Sequence, residues 1–407
     1  MKFSKSHVIV ASILLGINGI VSADNEAGFT PFSDAKLYAQ FRPRLEHADV
    51  DDGVKDAATA LTTRTILGGE FNKVGGIAGL SGHLEATNVS HFGIMDDYAP
   101  EQKTGYDVIM DPSQTRMTQA HLTYLLGDTA LIAGRKMHTF DNQRFIGHVG
   151  WRQIFQTYDM IAVANKSIPN LALTGAYVNK VNRITENGKL DTQSILLHGA
   201  YTVDPLFNLS AYGYMLASIH DSFGVRATGK KNFSGVKFNY EAEYAFQDKA
   251  SLKEESMGDI QPDHEADYYK LGFRINYTGL IFGLDYEILG EKEGAGGSAF
   301  NTPLATLHGM NGWADKFLAT PADGLVDTSI TVGYVSKPFG RAIVIYRNFE
   351  SDNGGKDFGS EFDIIYARKL FKNLGLTLKA AFYEAGADLK NGDTNKYWAM
   401  LDYRFNF

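Results

Sequence analysis

Arginine is the residue type whose placement in this chain first suggests a chemistry. Between residues 36 and 152 the arginines fall mostly in or beside segments of alternating polarity, at Arg42, Arg44, Arg64, Arg116, Arg135, Arg144 and Arg152. Because the planar guanidinium group binds a carboxylate through two parallel hydrogen bonds, such a series suits the attraction of anions. The acids of this region fall between those segments, at Asp49, Asp51, Asp52, Asp56, Asp96, Asp97, Glu101, Asp107 and Asp111. We therefore expect an arginine-rich wall beneath an acidic mouth.

The other reactive residues do not indicate an enzyme. Serine–histidine pairs such as Ser81 and His83 occur without a nucleophile motif that includes a base and an orienting acid. The histidines are scattered and the chain has no cysteine, so neither metal-ligand spacing nor a thiolate is present. The sequence predicts no catalytic residue, no cofactor, no metal site and no nucleic-acid partner.

Strands are the elements that must position these arginines. About eighteen segments of roughly ten to fourteen residues alternate between apolar and polar side chains, which is the period of a strand with two different faces. Their length suits tilted strands that cross about 30 Å of hydrocarbon. The predicted strands cover approximately 35–47, 60–72, 76–89, 115–126, 129–138, 153–165, 170–181, 192–203, 206–218, 222–230, 236–246, 269–277, 280–289, 325–335, 341–350, 359–370, 373–383 and 396–407.

The connections between these strands alternate between long loops and tight turns, with one short exception near residues 219–222. This alternation is typical of an up-and-down antiparallel barrel in an outer membrane, with turns in the periplasm and loops outside. It places 248–264 and 291–324 outside the cell and 336–340 in the periplasm. The predicted fold class is therefore an all-β transmembrane barrel of about eighteen strands.

The chain ends on "KYWAMLDYRFNF", in which every second residue from Tyr397 to Phe407 is apolar or aromatic. In lipid a sheet can span only when its first and last strands pair, since an open edge leaves backbone groups without partners. We therefore expect this last strand to pair with the first, which begins near Lys36. A terminal aromatic residue also resembles the sorting signal of outer-membrane barrels, and this implies the barrel-assembly machinery as a partner.

The N-terminal segment has the layout of a secretory signal peptide. Lys2 and Lys5 precede an apolar run from Val8 to Val21, and small residues precede an expected cleavage after Ala23. The predicted organisation is a signal peptide over 1–23 and a single barrel domain over 24–407, in the outer membrane of a Gram-negative bacterium. The net charge of −8 becomes about −10 once the two lysines of the signal peptide leave, and this excess is assigned to the loops rather than to the pore.

Two segments resemble a known family. "LIAGRKMHTFDNQRFIGHVGWRQIFQTYDMIAV", residues 131–163, resembles the GRQ…DNQRFVG…GWRQ…QT.D stretch of outer-membrane proteins grouped with the alginate-export family, and "FNTPLATLHGMNGWADKFLATPADGL", residues 300–325, is similar to a second segment of such proteins. The resemblance implies an eighteen-stranded barrel with an arginine-lined pore. Carried over residue by residue, it implies a polar set near a constriction, consisting of Arg135, Asn142, Arg144, Arg152 and Gln153.

The glycines of the first motif would permit a tight fold of its loop, at Gly134, Gly147 and Gly150. A structural reading of the arginines stays open beside the functional one, in which Arg144 and Arg152 pair with Asp141 and Asp159 and pin the loop to the wall. In the second motif Trp313, Phe317 and Leu318 predict a loop that folds inward or packs on a neighbour.

Charged residues on the polar faces of the strands are expected to face the lumen, because each would cost several kilocalories in lipid. Those assigned to the pore wall from their strand positions are Arg42, Arg44, Arg64, Arg274, Asp285 and Glu287. The predicted function is an outer-membrane porin that passes small hydrophilic solutes and favours anions or carboxylates. An exporter of an anionic polysaccharide such as alginate, and a non-conducting structural or adhesin barrel, stay open as alternatives. Lipid and lipopolysaccharide are the expected surroundings, and the oligomeric state is left open.

Overall fold

Strands account for most of the chain in the computed structural model, which describes residues 31–100, 103–204, 206–253, 265–292, 298–389 and 391–407. The predicted signal peptide lies outside these residues. The strands are β1 (Asp34–Asp51), β2 (Ala58–Asn72), β3 (Leu80–Ser90), β4 (Asp96–Asp97), β5 (Gln114–Leu126), β6 (Thr129–Lys136), β7 (Thr157–Asn165), β8 (Leu171–Asn182), β9 (Lys189–Asp204), β10 (Phe207–Leu216), β11 (His220–Phe233), β12 (Val236–Asp248), β13 (Ala266–Tyr277), β14 (Leu280–Leu289), β15 (Leu325–Ser336), β16 (Gly340–Glu350), β17 (Asp357–Phe371), β18 (Leu374–Ala385) and β19 (Asp393–Asn406).

The sheet closes on itself. The two-residue strand β4 pairs with β2 inside a loop, and the other eighteen strands form the wall, each antiparallel to its neighbours. The last strand pairs with the first over most of its length, from Tyr38 opposite Asn406 to Asp51 opposite Asp393. The predicted eighteen-stranded antiparallel barrel is confirmed, and so is the pairing of its two ends.

Side chains along each strand alternate between an apolar outer face and a polar inner face. In β19, the outward residues Tyr397 and Leu401 are 44% and 38% exposed. The inward residues Lys396 and Trp398 are 7% and 3% exposed. Large apolar residues are exposed in the same way on most other strands, such as Ile161 on β7 and Leu271 on β13. Such a continuous apolar surface on a closed barrel is what contact with hydrocarbon requires.

The two rims of the barrel differ in the length of their connections. At one rim the connections are turns of two to seven residues, at 73–79, 127–128, 166–170, 205–206, 234–235, 278–279, 337–339 and 372–373. At the other rim they span 52–57, 91–113, 137–156, 183–188, 217–219, 249–265, 290–324, 351–356 and 386–392. The predicted alternation is confirmed, with its short exception between β10 and β11. The described residues contain no helix that is long and apolar enough to cross a membrane.

Two strand boundaries differ from the prediction in the first motif. The strand expected over 129–138 ends at Lys136, and the one expected over 153–165 begins only at Thr157. The later start of the second strand has a physical reason, because the Gln153 amide donates to Asp111 and its side chain donates to Thr62 instead of pairing in a strand ladder.

The assigned faces of β19 predict different costs for the same substitution at adjacent positions. Leu401→Arg places a guanidinium on the outer face, where a charge in hydrocarbon costs about 2–4 kcal/mol near the middle of the bilayer. Met400→Arg places the group on the inner face, opposite Arg44 of β1. We expect Leu401→Arg to reduce the heat-modifiable folded fraction in membranes well below that of Met400→Arg, measured by gel mobility. Equal losses for the two variants would contradict the assigned faces.

Candidate functional site

Three connections from the long-loop rim fold into the lumen. We call them loop A (91–113, described without 101–102), loop B (137–156) and loop C (290–324, described without 293–297). Loops B and C contribute a buried aromatic cluster that packs on the inner wall and includes Phe145, Phe300, Trp313 and Phe317. The expected burial is confirmed for Trp313 and Phe317, but it is wrong for Leu318, which is 46% exposed.

Loops B and C, which hold the two sequence motifs, bind each other directly. The Gly147 amide donates to the Leu304 carbonyl at 2.8 Å, and the Thr306 amide donates to the Gln143 carbonyl at 3.0 Å. A Cβ atom on Gly147 would lie 2.4 Å from Thr306 Oγ1, so the close approach of the loops requires glycine at this position. The two motifs therefore form one structural unit although they are far apart in the sequence.

Arg42 of β1 holds loop B through uncharged acceptors. Its guanidinium donates to the carbonyl oxygens of Gly150 at 3.1 Å and Trp151 at 3.2 Å, and its Nε donates to Gln153 Oε1 at 3.0 Å. Gln153 in turn donates to Thr62 Oγ1 of β2 at 3.0 Å. The backbone of loop B is thus anchored to β1 and β2 at this point.

Arg44, the next inward residue of β1, joins loop A to loop B. It donates to the Trp151 carbonyl at 2.6 Å and to Glu46 Oε2 at 2.8 Å, and it forms an ion pair with Asp111 of loop A. Asp111 Oδ1 also accepts the Gln153 amide at 2.6 Å. The expectation that Asp111 belongs to an acidic mouth is wrong, because its carboxylate is buried against this arginine.

Arg64 of β2 has a neutral partner as well. It donates to Gln40 Oε1 at 2.9 Å, and Gln40 donates onward to Asp402 at 2.6 Å. Among the described residues, no carboxylate lies within 4.0 Å of the guanidinium nitrogens of Arg42 or Arg64, whereas Arg44 has two such partners. Arg42 and Arg64 therefore contribute positive charge that no direct ion pair neutralises.

Asp315 of loop C ties three parts of the protein together. Its carboxylate accepts from Arg152 of loop B at 3.0 Å, from Lys396 of β19 at 3.0 Å and from His308 of its own loop at 2.7 Å. Arg152 also pairs with Glu46 at 2.9 Å. Burial opposes ionisation of Asp315, but His308, Lys396 and Arg152 outweigh it and hold the pKa of this carboxyl well below its usual value.

Lys379 of β18 lies in an aromatic enclosure beside this node. Its Nζ is 3.6 Å from the ring centroid of Trp313 and 4.3 Å from that of Trp151, and Trp398 lies at 5.2 Å. Ammonium groups are attracted to indole faces at such distances. The same Nζ is 2.6 Å from His308 Nε2, which leaves Nδ1 of a neutral ring to donate to Asp315.

His308 makes the docking of loop C sensitive to acid. Burial lowers the pKa of His308 to about 3, against the attraction of Asp315 and with the help of the Lys379 ammonium. An undocked, hydrated histidine would titrate near 6.5. Because the docked ring binds its proton only at the lower pH, the contribution of His308 to docking falls as the pH decreases from about 6.5 towards 3.

Arg144 and Glu287 form a second centre at some distance along the wall. Arg144 donates to Asn311 Oδ1 at 3.0 Å and pairs with Glu287 of β14 at 3.3 Å. Asn142 accepts the Arg144 amide at 3.1 Å, which shapes the loop before the arginine. Asn311 also donates to Glu287 at 2.7 Å, so loop C is attached here too.

The carboxylate partners predicted for Arg144 and Arg152 are wrong. Asp159 pairs with Arg135, at 2.7 Å from its Nε, and Asp141 is bound by His198 and Ser210 at 2.9 Å each. Arg144 and Arg152 pair instead with acids of β1, β14, loop A and loop C. The arginines do fasten loops to the wall, but through partners that are distant in the sequence.

The remaining wall residues lie apart from these centres. Arg274 pairs with Asp285 at 3.3 Å near the rim that has the short turns, and half of the Arg274 side chain is exposed. The structure thus brings together Arg42, Arg44, Arg152 and Gln153, and leaves Arg135, Arg144 with Glu287, and Arg274 with Asp285 as separate groups. The described residues bring no three potential ligands together in a way that could hold a metal ion.

Sequence reasoning missed Asp315, Lys396 and His308 as members of the site. Asp315 and His308 lie within the second motif, so the motif itself carried a signal for them. Lys396 precedes the strictly alternating part of β19 and carried no comparable signal.

Comparison with solved structures supports the barrel. The chain is similar to Acinetobacter baumannii OccAB2, with a TM-score of 0.71 and 18% identity over 93% of this chain and 99% of that one. It is also similar to the outer membrane protein OpdK of Pseudomonas aeruginosa, with a TM-score of 0.70 and 13% identity over 93% and 100% of the two chains. A structure of OpdK with vanillate gives a TM-score of 0.72 and 12% identity, again over 93% and 100%.

At these identities the likeness shows the fold, a porin-type barrel that spans nearly the whole of each chain. No family model matches the sequence, and no curated protein matches it either. The resemblance to the alginate-export family is therefore not supported, since the similar structures described here are those of OccAB2 and OpdK. A motif resemblance limited to two segments was too weak to choose among barrels with the same number of strands.

The Asp315 node predicts how firmly loop C is held. Asp315→Asn should release the described part of loop C, because breaking a buried ion pair and leaving its partners unneutralised costs about 3–5 kcal/mol. Asp323→Asn is the matched control in the same loop, since Asp323 pairs with Lys356 where both side chains are more than 40% exposed. Such exposed pairs contribute about 0–1 kcal/mol. We expect faster proteolysis within 307–318 for Asp315→Asn only, measured by mass spectrometry of cleaved barrels.

Proposed function

We propose that this protein is an outer-membrane diffusion channel for small hydrophilic solutes that favours anions. The observation that carries the proposal is the division of the closed barrel into an apolar outer face and a charged inner face. The outer face suits a bilayer, with lipid and lipopolysaccharide as its surroundings and the barrel-assembly machinery as the route of insertion. An eighteen-stranded wall is wide enough to enclose water, whereas an eight-stranded barrel is filled by its own side chains.

The preference for anions rests on Arg42 and Arg64. Most other arginines of the interior have carboxylate partners within 4.0 Å, so their fields are largely neutralised nearby. Arg42 and Arg64 bind only uncharged oxygen atoms in the described structure. Their field acts over a few ångströms in a confined space, well inside the Debye length of about 8 Å at physiological salt. Vanillate, the molecule found with OpdK, is itself a small aromatic carboxylate.

The two alternatives from the sequence are less favoured by this interior. Export of an anionic polysaccharide would need a continuous wide path, yet loops A, B and C occupy the lumen and bind one another. A non-conducting structural barrel would not need positive charge without carboxylate partners on the wall. Single-channel recording in planar bilayers separates a channel from a structural barrel, because a closed scaffold gives no current.

The orientation of the barrel can be tested with cysteine, which the chain lacks. Asn353 lies in the 351–356 loop and Lys372 in the 372–373 turn, and both are exposed. We expect a membrane-impermeant maleimide to label Asn353→Cys on intact cells and to label Lys372→Cys only after the cells are broken. Labelling of the second variant on intact cells would reverse the assignment of the rims.

The anion preference can be tested at Arg64. Arg64→Gln removes one unneutralised positive charge, so the reversal potential in a salt gradient should move towards cation preference. Arg64→Lys keeps the charge and is the control, with little expected change. The same shift in both variants would show that Arg64 acts by packing rather than by charge, and the proposed basis of anion preference would be lost.

A further inference from the structure

The rim that has the short turns carries a local excess of positive charge. The excess lies on two neighbouring hairpins, β15–β16 and β17–β18, which are joined by the pairing of β16 with β17. Neither 331–349 nor 364–383 contains an acidic residue. Five exposed cations lie at the turn ends of these hairpins, and we call them the cationic rim surface: Lys337, Arg341, Arg368, Lys369 and Lys372.

The charges of this surface are not neutralised within the described part of the chain. None of the five cations forms an ion pair or a side-chain hydrogen bond there. On the next strand, the Asp402 carboxylate is bound by Arg404 at 2.9 Å and by Gln40 at 2.6 Å. The surface is therefore open to an anion from outside the protein.

Other lysines of the same rim differ in their surroundings. Asp34 lies opposite the residue that precedes Lys73, and the Lys166 amide donates to the Asp128 carbonyl at 3.0 Å. The β11–β12 turn is also cationic, but of its lysines only Lys231 lies on the outer face. The excess is thus strongest on the two hairpins of the cationic rim surface.

Arg368 lies on the outer face of β17. Phe362 and Ile364 of this strand are 49% and 42% exposed on the outer face, whereas Glu361 and Asp363 are buried on the inner face. Because side chains alternate along a strand, Arg368 shares the face of Ile364. A long cationic side chain at the edge of an apolar surface extends its charged end to the headgroups of the bilayer.

The 337–339 turn packs on β17 close to Arg368. The ring of Phe339 lies 5.7 Å from that of Tyr334 and 5.4 Å from that of Tyr366, and the Tyr366 hydroxyl donates to the Phe339 carbonyl at 2.8 Å. A Cβ atom on Gly340 would lie 2.5 Å from a backbone oxygen of β17, so glycine permits this approach. Aromatic rings of this kind lie where hydrocarbon meets the headgroups. Cations and aromatic rings therefore meet at the level of the lipid headgroups.

We propose that the cationic rim surface binds the headgroups of anionic phospholipids such as phosphatidylglycerol, with the phosphate against Arg368. The guanidinium group binds phosphate oxygens through paired hydrogen bonds, and each cation at a bilayer surface favours an anionic lipid about five-fold. An anionic polymer of the periplasm would meet the turns but would have no use for the aromatic rings and the outward Arg368. The choice of the periplasmic leaflet rests on the orientation in the proposed function, whereas the binding itself does not.

The test is photo-crosslinking at Phe371, which ends β17 beside this surface and is 72% exposed. The Phe371→p-benzoylphenylalanine barrel is placed in vesicles of equal amounts of phosphatidylglycerol and phosphatidylcholine with identical acyl chains. After irradiation the lipid adducts are counted by mass spectrometry. We expect phosphatidylglycerol adducts to exceed phosphatidylcholine adducts at least five-fold. Equal numbers of the two adducts would overturn the proposal.

Neutral variants in the same background separate this surface from the charge of the whole rim. We expect an adduct ratio near one after three changes within the surface, namely Lys337→Gln, Arg368→Gln and Lys372→Gln. The control removes the same charge from three exposed lysines elsewhere on the rim and should keep the ratio, namely Lys73→Gln, Lys166→Gln and Lys231→Gln. Because all six side chains are exposed, heat-modifiable gel mobility should be unchanged in both variants. An equal fall of the ratio in both would contradict a local site.

Irradiation of intact cells identifies the occupant in the native membrane. Adducts enriched in anionic phospholipids over their share of the membrane would support the proposal. Adducts with peptidoglycan fragments or with a protein in their place would overturn it, and adducts with lipid A would overturn the assigned leaflet. The vesicle experiment depends neither on conductance nor on orientation, so a failure of lipid binding and a failure of the channel function are separate results.

Discussion

The pairing of β1 with β19 is the constraint on which the rest of the structure depends. Once the sheet closes, every strand has a neighbour on both sides, and no row of backbone groups is left open to the membrane. The inner face of this closed wall carries buried charged residues, among them Arg42, Arg44 and Arg64.

These charges are organised as attachments for loops rather than as isolated groups. Arg42 and Arg44, both on β1, bind loops B and A. Asp315 of loop C binds Arg152 of loop B and Lys396 of β19. A buried charge is costly unless ion pairs and hydrogen bonds surround it, and most of these residues are surrounded in this way. Arg42 and Arg64 differ from these residues, because both are buried and neither has a carboxylate within 4.0 Å in the described structure.

The wall could be predicted from the sequence because each strand is specified by the residue pattern of its own short segment. Alternation at Tyr397, Leu401 and Tyr403 shows which face meets lipid, and the parity of loop lengths gives the two rims without any knowledge of contacts. The interior could not be predicted in the same way. Asp141 and Asp159 are near Arg144 and Arg152 in the sequence, yet the actual partners come from β1, β14, loop A and loop C. Which distant carboxylate meets which arginine depends on how three loops pack inside the barrel.

All three tryptophans of the chain, Trp151, Trp313 and Trp398, surround Lys379. They come from loop B, loop C and β19, so two inserted loops and the wall each contribute one indole to the same small region. The intrinsic emission of the native protein is therefore a report from this single location, without background from indoles elsewhere. A change in its wavelength or quenching would register movement of either loop in the unlabelled, unmodified channel.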